Sequence, residues 1–270
     1  MLVYFCDLFS GRIMYLSDMK QKWLWLPLCF ILPAAFALLG KEKNRGVKAP
    51  ETGFAVVELF TSEGCSSCPA ADQLVEKIGE ENKGKRVYIA SYHVDYWDRL
   101  GWKDRFSKPG YSAYQYAYAK QFHLNSVYTP QIVLNGQSQF VGSNGILLRS
   151  SISNKLNSRE SAHLELSKLD GGPSVCKVHY LLQEASPSAV LTFVLLQEKA
   201  VVNIERGENS GKTLTHTNIV HEVKALPPGN TSGDFSISIP EGIRNQWELL
   251  CYVKSSTGEI LTAQRIGSEP

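Results

Sequence analysis

The sequence predicts an α/β domain carrying a helical insertion, followed by a small all-β, sandwich-like domain. Three observations carry that expectation. An apolar run at 54–60 (FAVVELF) leads through a polar turn at 61–64 into Cys65-Ser66-Ser67-Cys68-Pro69. The segment 70–78 that follows puts Leu74, Val75 and Ile78 on one side, so the stretch reads as strand, turn and helix. Second, Val127-Tyr128-Thr129-Pro130-Gln131-Ile132-Val133-Leu134-Asn135-Gly136 reads as a loop, a proline, a strand and an Asn-Gly hairpin turn. Third, strand-like runs from 162 onward alternate with turn clusters such as Pro227-Pro228-Gly229-Asn230, the pattern of a sandwich of about seven strands.

The cysteine pair is the chemical centre of the chain. Free N–H groups and the positive dipole end at a helix N-terminus favour a thiolate over a thiol. Cys65 is therefore expected at the exposed mouth of the helix as the nucleophile. Cys68, one turn on and more buried, is expected to resolve the mixed disulfide. Pro69 suits the first helical turn, where its missing N–H costs little. No second CxxC or HxxxH follows, and Cys6, Cys29, Cys176 and Cys251 are scattered. Zinc thus lacks ligands at the usual spacing, and no metal or cofactor is expected. A CxxC that follows a strand and opens a helix is the thioredoxin-like context. Such proteins place a Thr-Pro or Val-Pro with a cis bond just before a strand, so Thr129-Pro130 is expected to be cis and to dock an extended thiol substrate.

The chain has 270 residues, 43% hydrophobic and 20% charged, enough for two cores. A net charge of +2 makes no electrostatic case for nucleic acid. Lys20 and Lys22 precede an apolar run at 23–39 that contains Ala35-Phe36-Ala37, an A-x-A cleavage signal. Residues 1–40 are thus read as an N-terminal extension and export signal, with Met19 a second candidate start. An uncleaved membrane anchor is the alternative, and the only membrane contact expected. A polar linker follows at 41–52. Export places the folded part in the periplasm or outside the cell, where disulfides are permitted.

The first domain is placed at 53–157. Its second strand, 86–91, ends at Tyr92-His93-Val94-Asp95. On the carboxyl rim of a parallel sheet, His93 and Asp95 would share a side near Cys65. They read either as proton-handling groups or as a structural pair bracing the next loop. The insertion at 99–125 is rich in aromatics, with a helix expected at 112–122. A hairpin partner at 137–141 and a helix at 142–157 complete a thioredoxin-like layout. Glu58 stands among Val56, Val57, Leu59 and Phe60, where a carboxylate is desolvated. It reads as an acid serving the resolving cysteine or as a residue pointing at a rim.

The runs VELFTSEGCSSCPAAD, HVDYWDRLGWKDRF and YTPQIVLNGQ together resemble an uncharacterised secreted thioredoxin-like family, domain of unknown function 1223. The resemblance extends to IERGENSGKTL at 204–214 and so covers nearly all of the chain after the signal. It implies a thioredoxin-like fold and supplies no reaction.

The second domain is placed at 162–267. Cys176 and Cys251 lie in apolar alternating runs, and a disulfide between them is expected, with two buried free thiols as the alternative. His216 and His221, at odd separation on one strand, are expected on opposite faces and structural. Asn230-Thr231-Ser232 is a glycosylation sequon. The functional expectation is an exported thiol–disulfide oxidoreductase in which Cys65 and Cys68 exchange and Thr129-Pro130 docks substrate. Glu58, His93 and Asp95 would move protons. Its partners would be protein or small-molecule thiols and disulfides. The alternatives are soft-metal delivery, with copper held by Cys65, Cys68 and His93, and a binding module with a static disulfide.

Overall fold

In the computed structural model, which describes residues 53–267, β1 (Ala55–Thr61) is buried at every position. A strand covered on both faces reads as a continuous apolar run, as this one does. Ala55, Val57 and Leu59 face α1 (Pro69–Glu81) and α3 (Gly145–Leu156) in one core. Val56 and Phe60 face the other way, towards Tyr111 and Tyr118 of α2 (Pro109–Gln121). The helix α1 is the crossover that lets β2 (Val87–His93) pair with β1 in parallel. β3 (Gln131–Leu134) pairs antiparallel with β1, and β4 (Ser138–Val141) with β3. The Thr129-Pro130 peptide ahead of β3 is cis, as expected.

The remaining strands overturn the expected fold class. They are β5 (His163–Leu169), β6 (Val175–Gln183), β7 (Val190–Asn203), β8 (Thr213–Ala225), β9 (Ser232–Ser238), β10 (Trp247–Lys254) and β11 (Ile260–Gly267). Four of them extend the first sheet instead of building a second domain. The result is one mixed eight-stranded sheet in the order β11-β10-β7-β8-β2-β1-β3-β4. Only β5, β6 and β9 form a separate, three-stranded sheet. The described chain is therefore a mostly β protein with three α-helices, not a thioredoxin-like domain with a helical insertion joined to a separate sandwich-like domain.

Burial explains the continuous sheet. On β7, Val194 and Leu196 pack with Tyr118, Leu250 and Tyr252, while Phe193 and Leu195 pack with Val178, Tyr180, Ile237 and Cys251. Residues 191–196 (LTFVLL) thus separate two cores, and their near-continuous hydrophobicity, broken only by Thr192, fits a strand buried on both faces. The joint with the first half is one parallel bridge, Ser91 opposite Ile219. The Ser91 hydroxyl reinforces it by donating to the Thr217 carbonyl at 2.8 Å.

Cys176 on β6 and Cys251 on β10 share a core but remain free thiols. They belong to facing sheets, and packed sheets stand ~10 Å apart, beyond the ~7 Å Cα limit for a disulfide. Burial pushes the Cys176 thiol up to about 11 and Cys251 well above its ordinary value. The export signal, cleavage site, anchor and linker expected at 1–52 lie outside the described residues. Among those described, no helix is long and apolar enough to cross a membrane.

The large sheet curls until the β10–β11 turn meets the β3–β4 turn. The Ile260 N–H donates to the Asn135 carbonyl at 2.9 Å, and the Asn135 side chain accepts from Val56 N–H at 2.6 Å. Gly136 adopts φ 66°, and a Cβ added there would stand 2.0 Å from the Gly258 carbonyl oxygen. Gly136→Ala is therefore expected to destabilise the fold by about 2–4 kcal/mol. Urea denaturation reads this directly, and an unchanged midpoint would refute the turn-to-turn contact.

Candidate functional site

The polar turn after β1 delivers Cys65 to the start of α1. Cys68 is the N-cap of α1, and Pro69 is its first residue. Cys65 lies one turn earlier, with the Cys68 N–H donating to the Cys65 carbonyl at 3.2 Å. The two sulfurs form a disulfide, with Cα atoms 5.4 Å apart. The Ser67 hydroxyl lies 3.4 Å from the Cys65 sulfur and 3.5 Å from the Thr129 carbonyl, to which it donates. The Thr129 side chain accepts from the Trp97 indole N–H at 2.8 Å. The cysteine loop and the segment before β3 are thus brought together as the sequence predicts. Exposure is not as predicted: both cysteines are 0% exposed, and only Ser66 and Ser67 reach solvent.

The distal halves of β7 and β8 contribute the covering element. This hairpin runs past α1, with Lys199 Nζ on Glu76 at 2.7 Å, and its loop at 204–212 meets the cysteine loop. Asn209, fully buried, donates both N–H groups of its amide, one to the Glu63 carbonyl and one to the Cys65 carbonyl, each at 2.9 Å. Its own carbonyl accepts from Lys212 Nζ at 2.9 Å. The Ser66 N–H donates to Glu208 at 3.1 Å, and the Ser66 side chain and then this N–H hold the Glu208 carboxyl below its ordinary value.

Beneath the loop lies a buried polar cluster that sequence reasoning found only in part. His93 Nδ1 donates to Asp104 at 2.7 Å, and the same carboxylate accepts from the Glu63 N–H at 2.8 Å. Glu63 accepts from the Trp102 indole N–H at 2.6 Å. His216 stands edge-on to His93, with ring centroids 4.8 Å apart. It lies 3.9 Å from Glu63 and 3.6 Å from Asp72. Four atoms here have no hydrogen-bond partner among the described residues: Glu63 Oε1, His93 Nε2 and both nitrogens of His216.

The electrostatics follow from burial and neighbours. Burial alone would lower His93, but the Asp104 carboxylate reverses this and raises it above its ordinary value. Burial likewise opposes ionisation of Asp104, yet His93 and two backbone N–H groups hold it below the usual carboxylate range. Glu63 is pushed up by burial and by the Asp104 charge.

Other expected site residues lie elsewhere. Glu58 points to the sheet face opposite α1. There it accepts from Tyr114 at 2.8 Å and Tyr118 at 2.5 Å, whose hydroxyls in turn accept from Lys254 Nζ at 3.0 and 2.9 Å. Asp95 does not join His93. It accepts from the Ser112 hydroxyl, and its N–H donates to the same oxygen at 3.1 Å. His216 and His221 are not separated by the alternation of β8. The ladder shifts register and Asn218 takes φ 52°, so both rings lie against Phe106. Of the insertion aromatics, Tyr111 and Tyr118 fill the core, while Tyr116 borders an open groove of about 510 Å³ with Tyr96, Trp97 and Leu100. No group of three His, Cys, Asp or Glu side chains among the described residues is placed to hold a metal ion, and His93 is turned to Asp104.

The sequence reading missed Glu63, Asp72, Asp104 and Asn209. Each is a common polar residue in a loop or first helical turn, and its partner is more than ten positions away. The one available signal is that all four fall inside the runs that carry the family resemblance.

A family model described as a protein of unknown function, DUF1223, matches residues 56–253. Among solved structures, a protein from Agrobacterium tumefaciens matches with TM-score 0.59 and 23% identity, over 80% of this chain and 94% of that one. At that identity the likeness shows the fold alone. A domain of the outer membrane lipoprotein Omp28 from Porphyromonas gingivalis matches at TM-score 0.23 and 14% identity, over 41% of this chain and 90% of that one. No curated protein matches.

The His93–Asp104 pair has a pH signature. A raised His93 contributes stability that is complete below its ordinary value of 6.5 and is lost as pH rises through the raised value. A lowered Asp104 contributes stability that is complete above 3.8 and is lost as pH falls through the lowered value. Asp104→Asn is expected to cost about 3–5 kcal/mol near neutral pH, because without the carboxylate the buried His93 must either give up its proton or hold its charge unpaired. The deficit should shrink as pH rises through the raised His93 value. Urea unfolding of both proteins across that range checks it, and a pH-independent deficit would refute the pairing.

Proposed function

We propose that this chain, which belongs to the DUF1223 family, is a thiol–disulfide oxidoreductase acting through Cys65 and Cys68. The observation that carries the reading is the disulfide itself, closed across three positions at the N-terminus of α1. So short a ring restricts the unfolded chain little. The chain-entropy model assigns it about 2 kcal/mol, less than half the value for a 100-residue loop. Stabilisation is therefore a weak reason for the bond. Its place at a helix N-terminus supports chemistry, since the free N–H groups there favour the thiolate that reduction creates.

A substrate thiolate attacks the Cys65 sulfur, a new S–S bond forms, and the Cys65–Cys68 bond breaks with its electron pair leaving on Cys68. A second substrate thiolate attacks the mixed disulfide at the substrate sulfur and releases Cys65. Two substrate thiols become one disulfide, and the pair becomes a dithiol; the reverse direction balances identically. The Thr129 carbonyl, within reach of Ser67, is the backbone group positioned beside the pair for an extended substrate. The groove bordered by Trp97 and Tyr116 adjoins it and would take an apolar side chain of a polypeptide. Neither Glu58 nor Asp95 serves the pair in this reading. His93 acts at one remove, since its partner Asp104 holds the Glu63 N–H two residues before Cys65. The reading includes export, because an oxidising compartment keeps the pair competent.

The second reading, a binding module with a static disulfide, is favoured by the complete burial of both cysteines. The reduction potential separates the two. Equilibration against glutathione or dithiol buffers is expected to place the pair above about −300 mV, whereas structural disulfides typically lie below that. Cys68→Ser is expected to trap a mixed disulfide on Cys65 when the variant is incubated with oxidised partner proteins. A potential well below that limit, together with no trapped species, would establish the static reading.

A further inference from the structure

We propose that Asn209 is a positioning residue that latches the β7–β8 loop over the Cys65–Cys68 disulfide, so that a thiol reaches the pair only when the latch releases. This inference deepens the exchange reading and takes its functional meaning from it.

The contradiction it resolves is geometric. Thiol attack requires an accessible sulfur, yet both cysteines are 0% exposed while the two serines between them face solvent. The Ser67 hydroxyl, 3.4 Å from the Cys65 sulfur, covers part of the pair from within the cysteine loop; the β7–β8 loop is the distant element tied directly to the backbone on either side of Cys65. The loop at 205–212 is bonded to the cysteine loop at three backbone groups: the carbonyls of Glu63 and Cys65 through Asn209, and the N–H of Ser66 through Glu208.

Asn is the residue type this contact needs. A primary amide offers two N–H donors from one nitrogen, which suits two carbonyls converging on one point. Its oxygen is also occupied, by Lys212 Nζ, so a fully buried amide leaves no polar atom unpaired. Asp would set a carboxylate against two carbonyl oxygens. Ala would leave both carbonyls without these donors.

The loop is built to move as a unit. Its base is held by an apolar cluster in which Val202, Ile204 and Leu214 pack with Trp102 and Phe106. Its shape is set internally. Gly207 and Gly211 adopt φ 78° and 79°, the Gly211 N–H closes onto the Ile204 carbonyl at 2.8 Å, and the Ser210 hydroxyl donates to the Glu205 carbonyl at 2.9 Å. The tip meets the cysteine loop through the polar contacts named above, with Glu208 and Ser66 both at the surface. Release of such contacts is a local opening, which costs less than unfolding the cores on either side.

The test uses the full chain, oxidised, with dithiothreitol as the probe. The rate of Cys65–Cys68 reduction is followed by quenched alkylation and peptide mass spectrometry. Asn209→Asp and Asn209→Ala are each expected to speed reduction about tenfold or more, since each loses both donors to the cysteine loop. The buried free thiols Cys176 and Cys251 report global opening in the same sample, and their labelling is expected to stay at the wild-type rate. Should both Asn209 variants fail to fold, Lys212→Met removes only the support of the amide oxygen and is expected to speed reduction by about twofold to fivefold. Wild-type reduction rates in the folded variants would overturn the latch, as would an equal rise in labelling at Cys176 and Cys251. Faster reduction of the variants beside a potential below the exchange range would sustain the latch and remove the oxidoreductase reading alone.

Discussion

β2 and β8 meet at a single parallel bridge, Ser91 opposite Ile219, backed by the Ser91 hydroxyl on the Thr217 carbonyl. Much of the rest depends on that joint. It makes β7, β8, β10 and β11 part of the sheet that begins with β1. It also fixes the long β7–β8 hairpin against α1, so the hairpin loop arrives at the cysteine pair. The joint is short in hydrogen bonds but flanked by apolar burial. Val220 and Leu196 lie in the core of β1 and α2, and this area carries most of the free energy.

The polar cluster beneath the disulfide shows how a charge is kept inside such a structure. His93 and Asp104 are both fully buried, and each would be costly alone. Together they are hydrogen-bonded, and the second lone pair of the carboxylate oxygen accepts the Glu63 N–H. The pair thereby positions the backbone at the approach to Cys65. The Glu58–Tyr114–Tyr118–Lys254 group does the same work on the opposite face of the sheet, where two phenols separate a carboxylate from an ammonium. Burial lowers Lys254 below its ordinary value, partly offset by the Glu58 charge. The two clusters are chemically similar, but only the first adjoins the cysteines.

Burial of the cysteine pair changes the meaning of the motif. A CxxC at a helix end is reactive in proportion to its exposure and thiolate character. Here the helix end is present and exposure is absent. In the proposed exchange reading, access to the pair depends on the β7–β8 loop as much as on the helix. A loop held by polar contacts over a hydrophobic base lets access change without disturbing either core.

The sequence by itself determined the local units. The strand–turn–helix around Cys65 and Cys68, the Thr129-Pro130 step ahead of a strand, the Asn135-Gly136 turn and the helix spanning Tyr114 and Tyr118 are all set by neighbours within a few positions. Apolar runs, a proline or a turn dipeptide mark where these units begin and end, while the cis state of Thr129-Pro130 is expected from the thioredoxin-like context rather than from its neighbours. Tertiary structure alone decided the sheet to which β7 and β10 belong, the face on which Glu58 lies, and the partners of His93. It also brought Asn209 to Cys65 across 144 positions. The run at 191–196 carried a hint, since hydrophobicity without alternation fits a strand buried on both faces. It could not say what lay on either side. Strand order and side-chain pairing are long-range choices settled by which apolar faces find cover and which buried charges find partners. No window of sequence contains both members of such a pair.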